Sequence, residues 1–265
     1  MGGTPSRRGC QPHVSLLPLR IAAKVGREKL VRSEATTIES WKPLYVTGSV
    51  LALLYVIMIA VPLAVIFLAP QPPAQGGAAV LTYIAAHKAI YLIELICFVG
   101  LSVPAIGVFL AASVSLRNVS RSLAVLGGLT GVVSEIVALA LGSSPQSLSA
   151  GLVYLSDQYA ASALESQRAA FSAAAEGFLA SANAVSSAGI LTALAILLLS
   201  MAMLRGVYNR WIGVLGIVTG AVGVVFEALR PRIGVLYGVY GILLPVWFAV
   251  IGVSLLRIGS DKVER

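Results

Sequence analysis

Three acidic side chains lie inside long apolar runs of this sequence: Glu94, Glu135 and Glu227. His87, Tyr91 and Arg230 flank them. A charge held in hydrocarbon costs about 2.5–3.5 kcal/mol on the insertion scale, and more if isolated. Each acid must therefore be paired, hydrated or protonated, and must face protein rather than lipid. Tyr83, His87, Tyr91 and Glu94 recur at spacings of four, four and three, which is one face of a helix. Glu135 falls on a face with Gly128, Gly131, Ala138 and Gly142, and Glu227 ends the line Gly213, Gly216, Gly220 and Gly223. A third line of small residues, Gly234, Gly238 and Gly241, leads to Pro245. Seams of this kind let backbones approach closely in a bilayer. Packing accounts for the glycines but not for the acids, because a carboxylate does not improve packing.

Three chemistries suit such acids. They can form a structural network of hydrogen bonds and ion pairs, or a site for a solute, an ion or a proton. Acid–base catalysis is the third, although two carboxylates alone specify no reaction. Cys10 and Cys97 are too few and too differently placed for a disulfide framework or a metal site. No cofactor and no metal are expected.

The elements that carry these residues follow from hydropathy. Of 265 residues, 58% are hydrophobic and 11% charged, with a mean hydropathy of +0.91. Soluble domains carry about 25% charged residues, so a soluble globular protein is excluded. Six stretches are long and apolar enough for roughly 30 Å of hydrocarbon: 44–69, 89–114, 123–142, 184–204, 211–228 and 233–256. Pro62, Pro104 and Pro245 lie within spans and should kink them. Trp41, Tyr45, Tyr208 and Trp211 fall at span ends, where amphipathic rings favour the interface. The pattern predicts an all-α polytopic membrane helix bundle of six transmembrane helices, residues 44–258, with a short tail at 259–265.

Fifteen of the 19 Lys and Arg fall in the amino-terminal segment, residues 115–122, residues 205–210 and the carboxyl tail. The other four are Lys88, Arg168, Arg230 and Arg232. This is the positive-inside pattern, and it puts both termini in the cytoplasm. A net charge of +8 distributed in this way points to the bilayer rather than to nucleic acid. The sequon at Asn118 then lies inside and carries no weight. Residues 1–43 lack the features of a signal peptide and are read as a basic, disordered tail; the alternative is a segment from Arg20 to Arg32 lying on anionic headgroups.

With this orientation Glu94 lies about 9 Å and Glu135 about 10 Å below the outer boundary, at 1.5 Å per residue. Glu227 ends its span on that side. The two deeper acids are expected to approach one another or to share a partner such as His87. Between the third and fourth spans, Leu148, Leu152, Leu155 and Tyr159 form one amphipathic stripe, and Phe171, Ala175 and Phe178 form another. These predict an extracytoplasmic helical hairpin over 145–182, with a break near Asn183 or Gly189. The segment from Ala78 is expected to extend the second span outward.

Four motifs carry a resemblance. They are Arg168-Ala-Ala-Phe-Ser-Ala-Ala-Ala-Glu176, Leu197-Leu-Leu-Ser-Met-Ala-Met-Leu-Arg205, Asn209-Arg-Trp-Ile-Gly-Val-Leu-Gly-Ile217 and Trp247-Phe-Ala-Val-Ile-Gly252. Together they resemble an uncharacterised prokaryotic membrane family, the domain of unknown function numbered 4386, from about Leu44 to Leu256. Asn209 stands where that pattern has Pro. The resemblance implies a prokaryotic cell membrane and a six-helix bundle, and no activity.

Two functions remain open on these residues. One is small-solute, ion or proton handling through a polar pocket built from Glu94, Glu135, His87, Tyr91, Glu227 and Arg230. The other is a non-enzymatic regulatory or structural subunit whose outer hairpin binds another membrane protein.

Overall fold

A computed structural model describes residues 17–73, 75–144, 148–206, 208–233 and 236–260; of 17–40, 66–67, 183–187, 231 and 233 only the backbone is described. The chain divides into two units, Met1–Lys42 and Pro43–Arg265. The backbone is helical from Leu17, within the segment whose composition predicts a disordered tail; residues 1–16 lie outside the described ones.

Among the described residues ten helices follow in order: α1 (Leu17–Leu68), α2 (Gly77–Ala86), α3 (Lys88–Gly100), α4 (Ser102–Leu116), α5 (Arg121–Leu141), α6 (Ala150–Ala161), α7 (Glu165–Met203), α8 (Arg210–Ala228), α9 (Arg230–Ile233) and α10 (Tyr237–Ser260). Among the described residues the only β pairing is an isolated bridge between Ser143 and Ser149. Among the described residues five segments are long and apolar enough to cross a membrane: Trp41–Val65, Lys88–Leu116, Arg121–Leu141, Arg210–Ala228 and Tyr237–Ser260. The predicted span at 184–204 corresponds to a shorter apolar stretch, Ala188–Met203, at the end of α7. The outside of the bundle is apolar, with Val50, Leu53, Leu129 and Ile242 each at least 60% exposed, while Ser134, Thr219 and all three span acids are buried. That inversion of the soluble pattern is the architecture of a helical membrane bundle.

Local chemistry explains the helix ends. Pro104 has no N–H for the carbonyl of Gly100, and its ring crowds that carbonyl. The second span accordingly divides at Leu101 into α3 and α4. Pro62 and Pro245 lie inside helices that continue past them. Gly142 ends α5 in the left-handed region, φ 54°, which a side chain rarely adopts. It is thus a cap and not a member of the α5 seam. Asn209 caps α8, its Oδ1 accepting from the Trp211 N–H at 3.2 Å. This gives the helix a defined start.

The glycine seams choose the neighbours. A Cβ at Gly131 would enter the Phe109 ring of α4, and one at Gly127 would strike Leu199 of α7. Along α8, Gly213, Gly216 and Gly220 lie against Leu204, Ser200 and Leu197 of α7, and Gly223 lies between Ala193 and Tyr240. The α10 line behaves differently. Gly238 and Gly241 meet nothing within 4 Å, and Gly234 lies outside the described residues.

The segment between the third and fourth spans departs from a simple hairpin. Leu148, Leu152 and Leu155 are buried as their spacing predicts, with Tyr159 packed beside them. On α7 Ala175 and Leu179 are buried and Phe171 is partly buried against them, while Phe178 is 40% exposed. Val80, Leu81 and Ile84 of α2 complete this core, so α2 is a packing partner and not an extension of the second span. The backbone of α7 runs unbroken through Asn183 and Gly189 for 39 residues, about 58 Å at 1.5 Å per residue. At the far end Trp211 is 78% exposed as an interfacial ring should be, but Tyr208 is buried. It exchanges a 2.6 Å hydrogen bond with Ser115, and burial pushes its phenol up to about 12.

Candidate functional site

The polar residues of α5, α7, α8 and α10 converge on one cavity of about 130 Å³. Its wall carries two carboxylates, Glu135 from α5 and Glu227 from α8. Around them stand the hydroxyls of Ser102, Ser134, Ser143 and Thr192, and the rings of Tyr55, Phe98, Tyr237 and Tyr240.

Glu135 is 8% exposed. Thr192 donates to its Oε1 at 3.0 Å, and Ser102 supplies a further side-chain hydrogen bond. Ser102 reaches this point because the Pro104 break restarts the helix at that residue. Ser134 bonds the Ala188 carbonyl and the Thr192 hydroxyl, which holds Thr192 in place. Among the described residues no basic side chain pairs with Glu135.

Glu227 is 4% exposed and differently served. The Tyr237 hydroxyl donates to its Oε1 at 2.6 Å, and Arg230 approaches its Oε2 at 3.4 Å. The Arg230 guanidinium also stands 4.3 Å from the centre of the Tyr237 ring. Gly189 of α7 makes the room: a Cβ there would fall 2.5 Å from Glu227 Cδ and 2.6 Å from Oε1. On α10, Gly241 lines the cavity with open space before it, and Pro245 removes the N–H that its carbonyl would have received.

The six residues singled out from sequence do not form one site. Glu135 and Glu227 share the cavity, with Arg230 bound to Glu227. Glu94 is not among the cavity's lining residues. It is 3% exposed on α3, close to Tyr83, Tyr91 and Cys97, and its Oε2 has no hydrogen-bond partner. His87 is not a shared partner of the acids. It occupies the non-helical joint between α2 and α3, φ −128°, where Nδ1 lies 3.3 Å from the Tyr83 carbonyl and the ring stacks on Tyr83. Tyr91 braces the loop after α5, its hydroxyl accepting from the Ser149 N–H at 3.0 Å. Equal depth thus brought Glu94 and Glu135 together on paper, but the break at Leu101 gives Glu135 a hydroxyl from α4 in place of the acid of α3.

Sequence reasoning missed Ser102, Ser134, Thr192, Gly189 and Tyr237. Hydroxyls and single glycines are common in spans, and only Tyr237 and Tyr240, beside Gly241, carried a usable signal as phenols at helical spacing. Among the described residues no three of His, Cys, Asp and Glu converge. The chain matches no protein-family model, no curated protein and no solved structure. What the site can do rests on its own geometry: it can hold a polar or cationic group between two buried acids.

Proposed function

We propose that this protein handles a small solute, an ion or a proton through the cavity between Glu135 and Glu227. The observation that carries the reading is a buried acid with no basic partner among the described residues, facing open volume inside an apolar bundle. A purely structural network would close on itself, as the Glu227–Arg230–Tyr237 set nearly does, and would leave no cavity beside Glu135. In this reading the protein resides in a prokaryotic cell membrane and has six spans, the end of α7 being the additional crossing. Both termini are cytoplasmic, as the 15-to-4 division of basic residues favours. The α2–α6–α7 assembly then caps the outer face and the acids lie beneath it.

Access to the cavity tests this. Gly241→Cys adds a side chain into open space and should react with a small thiol reagent, in a background without Cys10 and Cys97, in intact membranes. Complete protection under native conditions, with reaction after unfolding, would sink the reading. A second reading, partner binding through the cap, draws on Tyr154 and Leu164, which are 64% and 59% exposed there. Crosslinking from Tyr154 to another membrane protein, with Gly241→Cys unreactive, would favour it.

A further inference from the structure

The charges around the cavity are unequal, and the inequality names a class of occupant. Glu227 is matched by Arg230, whereas Glu135 has no basic partner among the described residues. With both acids ionised, two carboxylates and one guanidinium leave one uncompensated negative charge in an apolar bundle, where it is costly. An anion is excluded by that sign, and a dication would exceed it. One positive charge restores balance.

The rest of the wall separates a bare ion from an organic one. An alkali ion gains by replacing its water with several oxygen ligands, whereas this wall carries the apolar side chains Ile59, Leu101 and Leu244 beside its rings. Thr192 donates to the acid, and Ser134 bonds both Thr192 and a backbone carbonyl. The cavity wall also includes the rings of Tyr55, Phe98 and Tyr240. Aromatic rings attract cations through their quadrupole and bury hydrocarbon at the same time, the combination used for methylated ammonium groups. One ring of this wall already meets a cation, since Arg230 stands over Tyr237 at 4.3 Å. The volume of about 130 Å³ is close to that of an apolar cavity of about 150 Å³ that takes up benzene, which suits a solute of a few heavy atoms.

We propose that the cavity binds a small organic monocation, a primary or methylated amine, with its charge against Glu135 and its carbon against the Tyr55, Phe98 and Tyr240 rings. This rests on the cavity being a solute site, as proposed above, and adds the class of solute.

The test is a thermal-shift titration of the full chain in detergent at constant pH and ionic strength. The probes are methylammonium, tetramethylammonium, tetrabutylammonium, sodium and potassium chlorides. Methylammonium or tetramethylammonium should raise the melting temperature saturably, by roughly 5–10 °C at a hundred times Kd. Tetrabutylammonium should be excluded by size, and the alkali ions should give no saturable shift. Glu135→Gln should weaken the effect at least tenfold, and Tyr240→Leu should weaken tetramethylammonium more than methylammonium. Glu165→Gln, outside the cavity, should leave it unchanged. The size cut-off in the unaltered chain stands as evidence even where a variant does not fold. A saturable shift by sodium or potassium alone would overturn the organic-cation assignment while the solute site survives. Equal shifts by all three ammonium ions would also overturn it, as non-specific. No shift by any probe, with Gly241→Cys unreactive as well, would overturn both.

Discussion

Replacing Gly189 by Ala isolates one contact on which the cavity depends. The added methyl would sit 2.5 Å from Glu227 Cδ, 2.6 Å from Oε1 and 2.9 Å from Oε2. Ordinary carbon and oxygen contacts need about 3.5 Å, so the carboxylate must retreat by about 1 Å. It cannot do so and keep both its 2.6 Å bond from Tyr237 and its approach to Arg230. Losing one charge-assisted hydrogen bond costs about 1.5–3 kcal/mol, and overpacking a filled site costs about 1–3 kcal/mol. Ala gains about 1 kcal/mol over Gly in a helix. The net expectation is a loss of about 1.5–5 kcal/mol. Gly177 on the same helix supplies the control, because a Cβ there meets nothing within 4 Å; Gly177→Ala should be neutral or stabilise by up to about 1 kcal/mol. Reversible unfolding in mixed micelles would measure both. Glu227→Ala empties the space that the methyl needs, so a double-mutant cycle should show a coupling of about 1 kcal/mol or more between the two positions. If Gly189→Ala were as stable as Gly177→Ala and did not couple to Glu227→Ala, Gly189 would not be holding the acid in the cavity.

Four further outcomes are expected. Glu135→Gln should cost less than Glu135→Leu in the same unfolding assay, since Gln still accepts from Thr192 whereas Leu leaves hydroxyls unpaired at about 1–3 kcal/mol. Tyr237→Phe should destabilise by about 1.5–3 kcal/mol by removing the 2.6 Å donor from Glu227, and Glu227→Gln should blunt that loss. Ser200→Ala should be neutral or slightly stabilising by thermal melt, because the Ser200 hydroxyl is buried without a partner and its removal deletes an unmet group. Reporter fusions at the two ends should give cytoplasmic signals and a fusion after residue 160 an external one; a periplasmic signal from either end would invert the proposed orientation.

The membrane class, the positions of five spans and the glycine seams of α5 and α8 were legible in the sequence because each depends on a local run. Twenty apolar residues span a bilayer whatever their neighbours, and small residues at three and four spacing must share a helix face. The burial of Glu94, Glu135 and Glu227 was legible for the same reason, since hydrocarbon rejects a charge irrespective of fold. Local pattern also located Leu148, Leu152 and Leu155 on one packed face. Only the tertiary structure decided which acid meets which. Whether Glu135 faces Glu94 or Glu227 depends on helix rotation and crossing, and the break at Leu101, the gap at Gly189 and the open line at Gly241 set these together. The same glycine spacing packs α8 against α7 yet leaves α10 facing a cavity, because spacing states that a face is small but not what stands opposite. A pocket is made of residues remote in the chain, Ser102, Glu135, Thr192, Glu227 and Tyr237, and no pattern confined to one helix records their meeting.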